Sequence, residues 1–251
     1  MFSWDTDTTP FSAGGGAQPG RFVFQQIDDD NFRLTESIWF TPDDGSRPPL
    51  EVNGDVLKTT DLASIPGFLG WFARRHGRHT PAALLHDALV RPELLPDEWR
   101  GSRREADLTF RRVLRATDVP PVRAYILWAG TNFASRASAG AARLAAVVVW
   151  LLAALTGSAL LALGAVTANV PLIVVSLVAP VPFAVLWGRD ILAGIVAGYA
   201  FWPVVLGGLP AFVAFHAINA VELLVLGLRK LRPRNRPYRH VLSRPVPWHE
   251  R

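Results

Sequence analysis

LAAVVVWLLAALTGSALLALGAVTA, residues 144–168, is the stretch on which the reading of this chain turns. It runs for 25 residues without a charged side chain. As a helix rising about 1.5 Å per residue, it outspans the roughly 30 Å hydrocarbon layer of a bilayer. From residue 144 to residue 228 the charged residues are Arg189, Asp190 and Glu222 alone. A domain dissolved in water needs charge on its exposed faces throughout such a length, so lipid is the expected solvent. Asn169 and Pro171 punctuate the first span, and residues 172–187 make a second, kinked or tilted by Pro180 and Pro182. Arg189 and Asp190 mark the next surface. Residues 191–228 are too long for one span, and Gly207, Gly208 and Pro210 divide them into 191–208 and 210–228. The expectation is an α-helical transmembrane bundle of four helices within residues 141–228.

Charge gives an independent check on topology. The net charge of +5 is unevenly distributed: residues 1–143 carry 17 basic and 18 acidic groups, while residues 229–251 carry eight basic groups against Glu250. Four spans return the chain to its starting side and place Arg143, Arg189 and the arginine-rich tail together, so both termini are expected to be cytoplasmic. The tail is expected to meet anionic lipid headgroups rather than nucleic acid. Residues 1–10 lack the basic flank and apolar core of a signal peptide, which suits a domain that is not exported. With no cysteine, disulfides and thiolate metal sites are excluded, and a reducing compartment is permitted.

Ahead of the membrane region the pattern is that of a soluble α+β domain over residues 21–140, a small antiparallel sheet followed by helices. Residues 1–20, rich in glycine, read as a flexible leader outside the core. Short β-branched and aromatic runs at 22–24, 38–40, 51–52 and 56–57, separated by Asp, Asn, Gly and Pro, predict the strands. Thr80 before Pro81 predicts a helix ending near Val90. Ser102 and Glu105 make a capping box for a second helix running to about Ala116, and Pro120 with Pro121 opens a third. Trp128, Trp150, Trp187 and Trp202 read as interface anchors and packing residues.

Two positions carry the candidate chemistry. His86 lies about four residues before the end of its helix and Asp107 about five after the start of the next, so an antiparallel pair of helices brings them level. A carboxylate on one imidazole nitrogen fixes the tautomer and raises basicity, leaving the other nitrogen to take a proton from water. Asp87 points about 100° further round the helix, where it can hold a hard cation such as calcium.

The segments TDLASIP (60–66), LHD (85–87) and RREAD (103–107), in that order, resemble a family found in phage and bacterial genomes, domain of unknown function 1353, over residues 22–135. The resemblance implies a fold rather than an activity, with Asp61 and Ser64 as signature positions beside His86 and Asp107. His-Asp on one helix and Asp on its antiparallel neighbour is also similar to the catalytic helices of secreted phospholipases of type A-two. That similarity implies His86 as base, Asp87 as calcium ligand and Asp107 as orienter, acting on a lipid ester. The chain departs from it in having no cysteine, no glycine-rich calcium loop, and Ala88 and Val90 where tyrosines are expected.

Other readings compete. Asp61, Ser64 and His86 are the residue types of a serine hydrolase, although Ser64 lacks a glycine-flanked elbow. His76 or His79 with His86, Asp87 and Asp107 are the types of a metal phosphohydrolase. His86 and Asp107 also read as a buried structural pair, Asp61 as a turn cap, and Arg103, Arg104, Arg111, Arg112 and Arg115 as a solvated helix face. His216, Asn219 and Glu222 share one face of the last span. The leading expectation is a membrane-anchored cytoplasmic domain with hydrolase-like geometry, acting on a lipid or another ester near the membrane. The alternative is a non-enzymatic membrane protein of phage or prophage origin whose domain recruits partners.

Overall fold

The computed structural model describes residues 11–13, 18–19, 24–27, 31–42, 45–60, 72–73 and 77–231. Asp61, Ser64, His76 and most of the basic tail lie outside the described residues. The chain forms two units, residues 1–209 and residues 210–251.

In the first unit, β1 (Phe11–Ala13), β2 (Gln18–Pro19), β5 (Ile38–Phe40) and β6 (Leu50–Val52) form an antiparallel sheet in the order β2-β1-β5-β6. A separate hairpin pairs β3 (Phe24–Gln26) with β4 (Phe32–Leu34). Ile38 and Phe40 of β5 and Leu50 and Val52 of β6 alternate inward at the strand period of two and supply the sheet's side of the core. Residues 11–13, expected in the leader, belong to this sheet. Phe11 pairs with Phe40 and packs on its ring at 5.4 Å, so hydrophobic burial fixes a segment whose composition reads as flexible. Residues 56–57, expected to extend, turn instead. The Asn53 side chain accepts the backbone N–H groups of Asp55 and Val56, closing an Asx turn that still buries Leu57.

Three helices follow the strands and share their hydrophobic core. α1 (Thr80–Leu89) starts one residue before the expected proline cap, because Thr80 Oγ1 accepts the backbone N–H of Gly77 and His79 takes the cap position. α2 (Arg103–Ala116) opens on the expected capping box: Ser102 Oγ accepts the Glu105 backbone N–H, and Glu105 Oε2 accepts the Ser102 backbone N–H at 2.7 Å. Its buried face carries Ala106, Phe110, Val113 and Leu114 at helical spacing, with Asp107 among them. α3 (Pro121–Ala137) starts on Pro121 as expected.

The apolar half opens with α4 (Ala141–Val166) and returns through α5 (Val170–Val178), α6 (Pro180–Phe183) and a tight helical turn over Ala184–Asp190. Asn169 Oδ1 caps α5 by accepting the Leu172 N–H. At Gly188, φ is +57°, a conformation costly for residues with a Cβ, and the chain reverses into α7 (Ile191–Ala200). The reversal is visible in packing: a Cβ at Gly198 would lie 2.5 Å from Pro180 Cβ, and one at Gly194 would lie 3.0 Å from the Trp187 ring. A π-helical segment (Phe201–Leu206) containing Pro203 then leads into α8 (Gly207–Leu231). Two helical stretches, Ala141–Val166 and Val170–Val204, are long and apolar enough to cross a membrane. Only 17% of the apolar window in each is buried, which distinguishes them from the core helices of a soluble protein. The second stretch joins the spans expected at 172–187 and 191–208, broken at Gly188. Gly207, Gly208 and Pro210, expected to separate two spans, lie inside α8.

In the second unit the described part of α8 exposes Val213, Ile218, Val221, Leu223 and Leu224. His216 stacks edge-on against Phe212 at 4.2 Å.

The capping box gives a direct test. Ser102→Ala is expected to lower the unfolding free energy by about 1 kcal/mol. The backbone N–H of Ser102 holds the Glu105 carboxyl below its ordinary range, with the Ser102 hydroxyl and Arg47 acting in the same sense. Its contribution is therefore complete above the unfolded-state value near about 4.3 and is lost as pH falls through the lowered folded value. Glu105→Gln is expected to flatten the stability profile across that acid window, read by denaturant unfolding in detergent at stepped pH.

Candidate functional site

α1 and α2 are joined by two short 3-10 turns, Pro92–Leu94 and Asp97–Trp99, and pack against each other. This geometry brings His86, near the end of α1, level with Asp107, near the start of α2, as the register predicts. His86 Nε2 lies 2.8 Å from Asp107 Oδ1. Asp107 is 1% exposed and the imidazole 13%, so the pair is a sealed carboxylate beneath a partly open ring. The ring is braced by Phe110, whose centroid stands 5.3 Å away.

Two residues missing from the sequence reading complete the cluster. Ser135 Oγ donates to Asp107 Oδ1 at 3.0 Å, and Asn132 Nδ2 approaches Oδ2 at 3.4 Å, both from α3. They sit one helical turn apart on a buried stripe shared with Ala124 and Trp128. Polar residues on an otherwise apolar face were the available signal. Two helices, α1 and α3, thus donate to one buried oxygen pair carried by α2. An ionised carboxylate accepts and cannot donate, so facing one Nε2 carries the proton, and in the neutral imidazole Nδ1 is then the acceptor nitrogen.

The remaining candidates separate. Asp87 Oδ2 accepts from Thr60 Oγ1 at 3.0 Å. A calcium ion takes six to eight oxygen ligands. Among the described residues no group of three or more His, Asp or Glu side chains gathers to hold a metal. For the same reason the metal phosphohydrolase constellation does not form among them. His79 is seven positions before His86, about 10 Å of helical rise away, and a Cβ at Gly77 would lie 3.3 Å from its ring. Asp61, Ser64 and His76 lie outside the described residues, which leaves the serine hydrolase arrangement without a described nucleophile.

Of the arginines of α2, Arg103, Arg104, Arg112 and Arg115 are exposed and Arg111 is half-buried. Arg111 stands 4.5 Å over the Trp128 ring and 5.6 Å over Tyr125. Arg112 lines an open groove of about 450 Å³ with Arg47, Trp99 and Glu105. That groove lies on the opposite face of α2 from Asp107, and neither His86 nor Asp107 lines it. Trp128, Trp150 and Trp187 are buried packing residues rather than interface anchors. Trp150 and Trp187 meet edge to face at 4.9 Å, with Phe133 and Phe201 against Trp150.

Fold and site together define a small α+β domain with a buried His–Asp cluster, continuous with apolar helices. Residues 55–131 match the model of a family described as "Protein of unknown function (DUF1353)", which supports that family for this segment of the chain. The match takes in His86 and Asp107 and ends just before Asn132. Comparison with curated proteins and with solved structures gives no match.

Removing one donor tests the cluster. Ser135→Ala is expected to lower stability by about 1 kcal/mol. Asp107→Ala, which strands three donors, is expected to cost about two to three times as much in denaturant unfolding. Nitrogen-15 spectra should place the His86 proton on Nε2 in the native chain, with the tautomer preference lost in Asp107→Ala.

Proposed function

We propose that this is a membrane-anchored protein whose domain hydrolyses an ester at or near the bilayer surface, with His86 as general base and Asp107 as its orienting partner. One observation carries the reading: a buried aspartate, itself fixed by α3, holds a partly exposed imidazole by one nitrogen. That arrangement selects a tautomer and stabilises the imidazolium formed when Nδ1 takes a proton from water. The hydroxide so generated adds to the carbonyl carbon of the ester. On collapse the bond to the alcohol oxygen breaks, and the imidazolium returns its proton to the departing alkoxide. No step passes through a metal.

A second reading is favoured by the placement of the groove. A domain whose His–Asp cluster serves only to lock three helices would present the groove lined by Arg47, Trp99 and Arg112 to partners. Purified full-length protein in mixed micelles, assayed on phospholipid and on a soluble aryl ester with and without calcium, separates the two. The enzyme reading expects turnover to fall about 100-fold or more in His86→Ala, to fall in Asp107→Asn, and to persist without calcium. Turnover absent from the native chain, or untouched by both substitutions, would leave the recruiting role.

The anchored reading is multi-pass, with the domain and both termini cytoplasmic. α4 and the return through α5 and α6 make two crossings. In support, the turn at Gly188 comes back to the domain: Arg104 Nε lies 2.8 Å from Asp190 Oδ1, and Arg136 donates to the carbonyls of Leu186 and Trp187. Because the chain has no cysteine, single introduced cysteines report sidedness without background. Ala168→Cys in the α4–α5 loop is expected to react with an impermeant maleimide from outside intact cells, and Ala139→Cys only after lysis. Labelling of both from the same side would remove the two-crossing hairpin.

A further inference from the structure

The geometry points to an anionic headgroup-binding collar, formed by Arg143 and Arg189 at the level where α4 leaves the domain and the Gly188 turn returns to it. This inference rests on the membrane-anchored reading and adds the lipid class that the anchor selects.

Two passages of the chain, 46 residues apart, change from charge to exposed apolar surface at one level. On α4, Arg143 is followed directly by Leu144, which is 45% exposed, then by exposed Val148, Val149 and Leu152. After the turn, Arg189 and Asp190 are followed by exposed Ile191 and Leu192. Side-chain bonds hold the two passages together. Arg136, one turn before the α3–α4 junction, grips the Leu186 and Trp187 carbonyls and stacks on the Trp187 ring at 5.4 Å. Arg103 donates to Ser138 Oγ, and Arg104 pairs with Asp190. Burial holds the Arg136 guanidinium below its ordinary value, Asp190 opposes that effect and Arg143 reinforces it, so these three charges share one neighbourhood.

The electrostatics of this neighbourhood are one-sided. Asp190 is committed to Arg104, whereas Arg143 and Arg189 are exposed and have no side-chain partner among the described residues. Hydrocarbon is what covers exposed valine and leucine on α4 and α5, and the layer next to hydrocarbon is the headgroup phosphate. A guanidinium at that depth presents forked donors to phosphate oxygens, and two in one ring favour lipids with net negative charge over zwitterionic ones. The occupant is therefore the anionic lipid of the cytoplasmic leaflet.

The test uses the full chain reconstituted in phosphatidylcholine nanodiscs with trace spin-labelled phosphatidylglycerol or phosphatidylcholine, reading the motionally restricted fraction of each label. The native protein is expected to prefer phosphatidylglycerol by about 3- to 10-fold, the order set by one or two interfacial arginines, and to lose that preference as salt rises. Arg143→Gln/Arg189→Gln is expected to bring the ratio to about 1, and Arg143→Lys/Arg189→Lys to retain most of it. Phosphate and chloride buffers of equal ionic strength should give the same ratio, since a free anion lacks the acyl chains that hold a lipid at this level. Equal restriction of both labels in the native protein overturns the inference, as does a preference that survives the glutamine variant, which would assign it to the tail. Release of the protein from membranes by alkaline carbonate would instead overturn the anchored reading itself.

Discussion

A carboxylate buried to 1% exposure persists only if hydrogen-bond donors surround it, and Asp107 is buried to that degree. Its donors come from His86 on α1 and from Ser135 and Asn132 on α3. The three helices therefore have one arrangement in which this charge is satisfied, and sliding α1 or α3 by a turn strands it. Apolar packing supplies most of the cohesion through Leu84, Leu85, Phe110 and Leu114, but aliphatic contacts tolerate small shifts that a hydrogen-bonded carboxylate does not. The same constraint gives the site its form, since what fixes the helices also fixes the orientation of the imidazole.

Through α3 the constraint reaches the apolar half. One side of α3 packs on α2 and holds Asp107, and the other packs on α4 and α7. Arg136, a turn beyond Asn132, satisfies carbonyls freed where the backbone reverses at Gly188. Trp150, Trp187, Phe133 and Phe201 fill the space beneath with edge-to-face contacts. Domain and apolar helices thus share one hydrophobic cluster, so the domain is held on those helices by packing rather than hung from them by a linker.

Much of the helical domain was legible because its signals are local. Ser102 and Glu105 specify the start of α2 through bonds three residues apart, and Pro121 starts α3 by its fixed φ. The level placement of His86 and Asp107 followed from counting residues to helix ends. Signals that depend on distant partners were not legible. Phe11 sits in a glycine-rich segment and becomes core only because Phe40 lies beside it. The Asn53 turn competes with a strand pattern that residues 56–57 also satisfy. Gly207, Gly208 and Pro210 have the composition of a break but lie within α8, where a proline near a helix start loses few hydrogen bonds.

The sequence by itself determined that the second half holds helices apolar enough to cross a membrane, because charge is nearly missing along its length, and that His86 and Asp107 belong at one level, because helix periodicity is intrinsic to the backbone. Only the tertiary structure decided what surrounds Asp107, that the stretch from residue 170 to residue 204 doubles back at Gly188, and that Arg104 and Arg136 bind that turn to the domain. These depend on contacts between residues as many as 86 positions apart. Such contacts are selected by shape, burial and the satisfaction of polar groups in the folded chain, none of which a local pattern encodes.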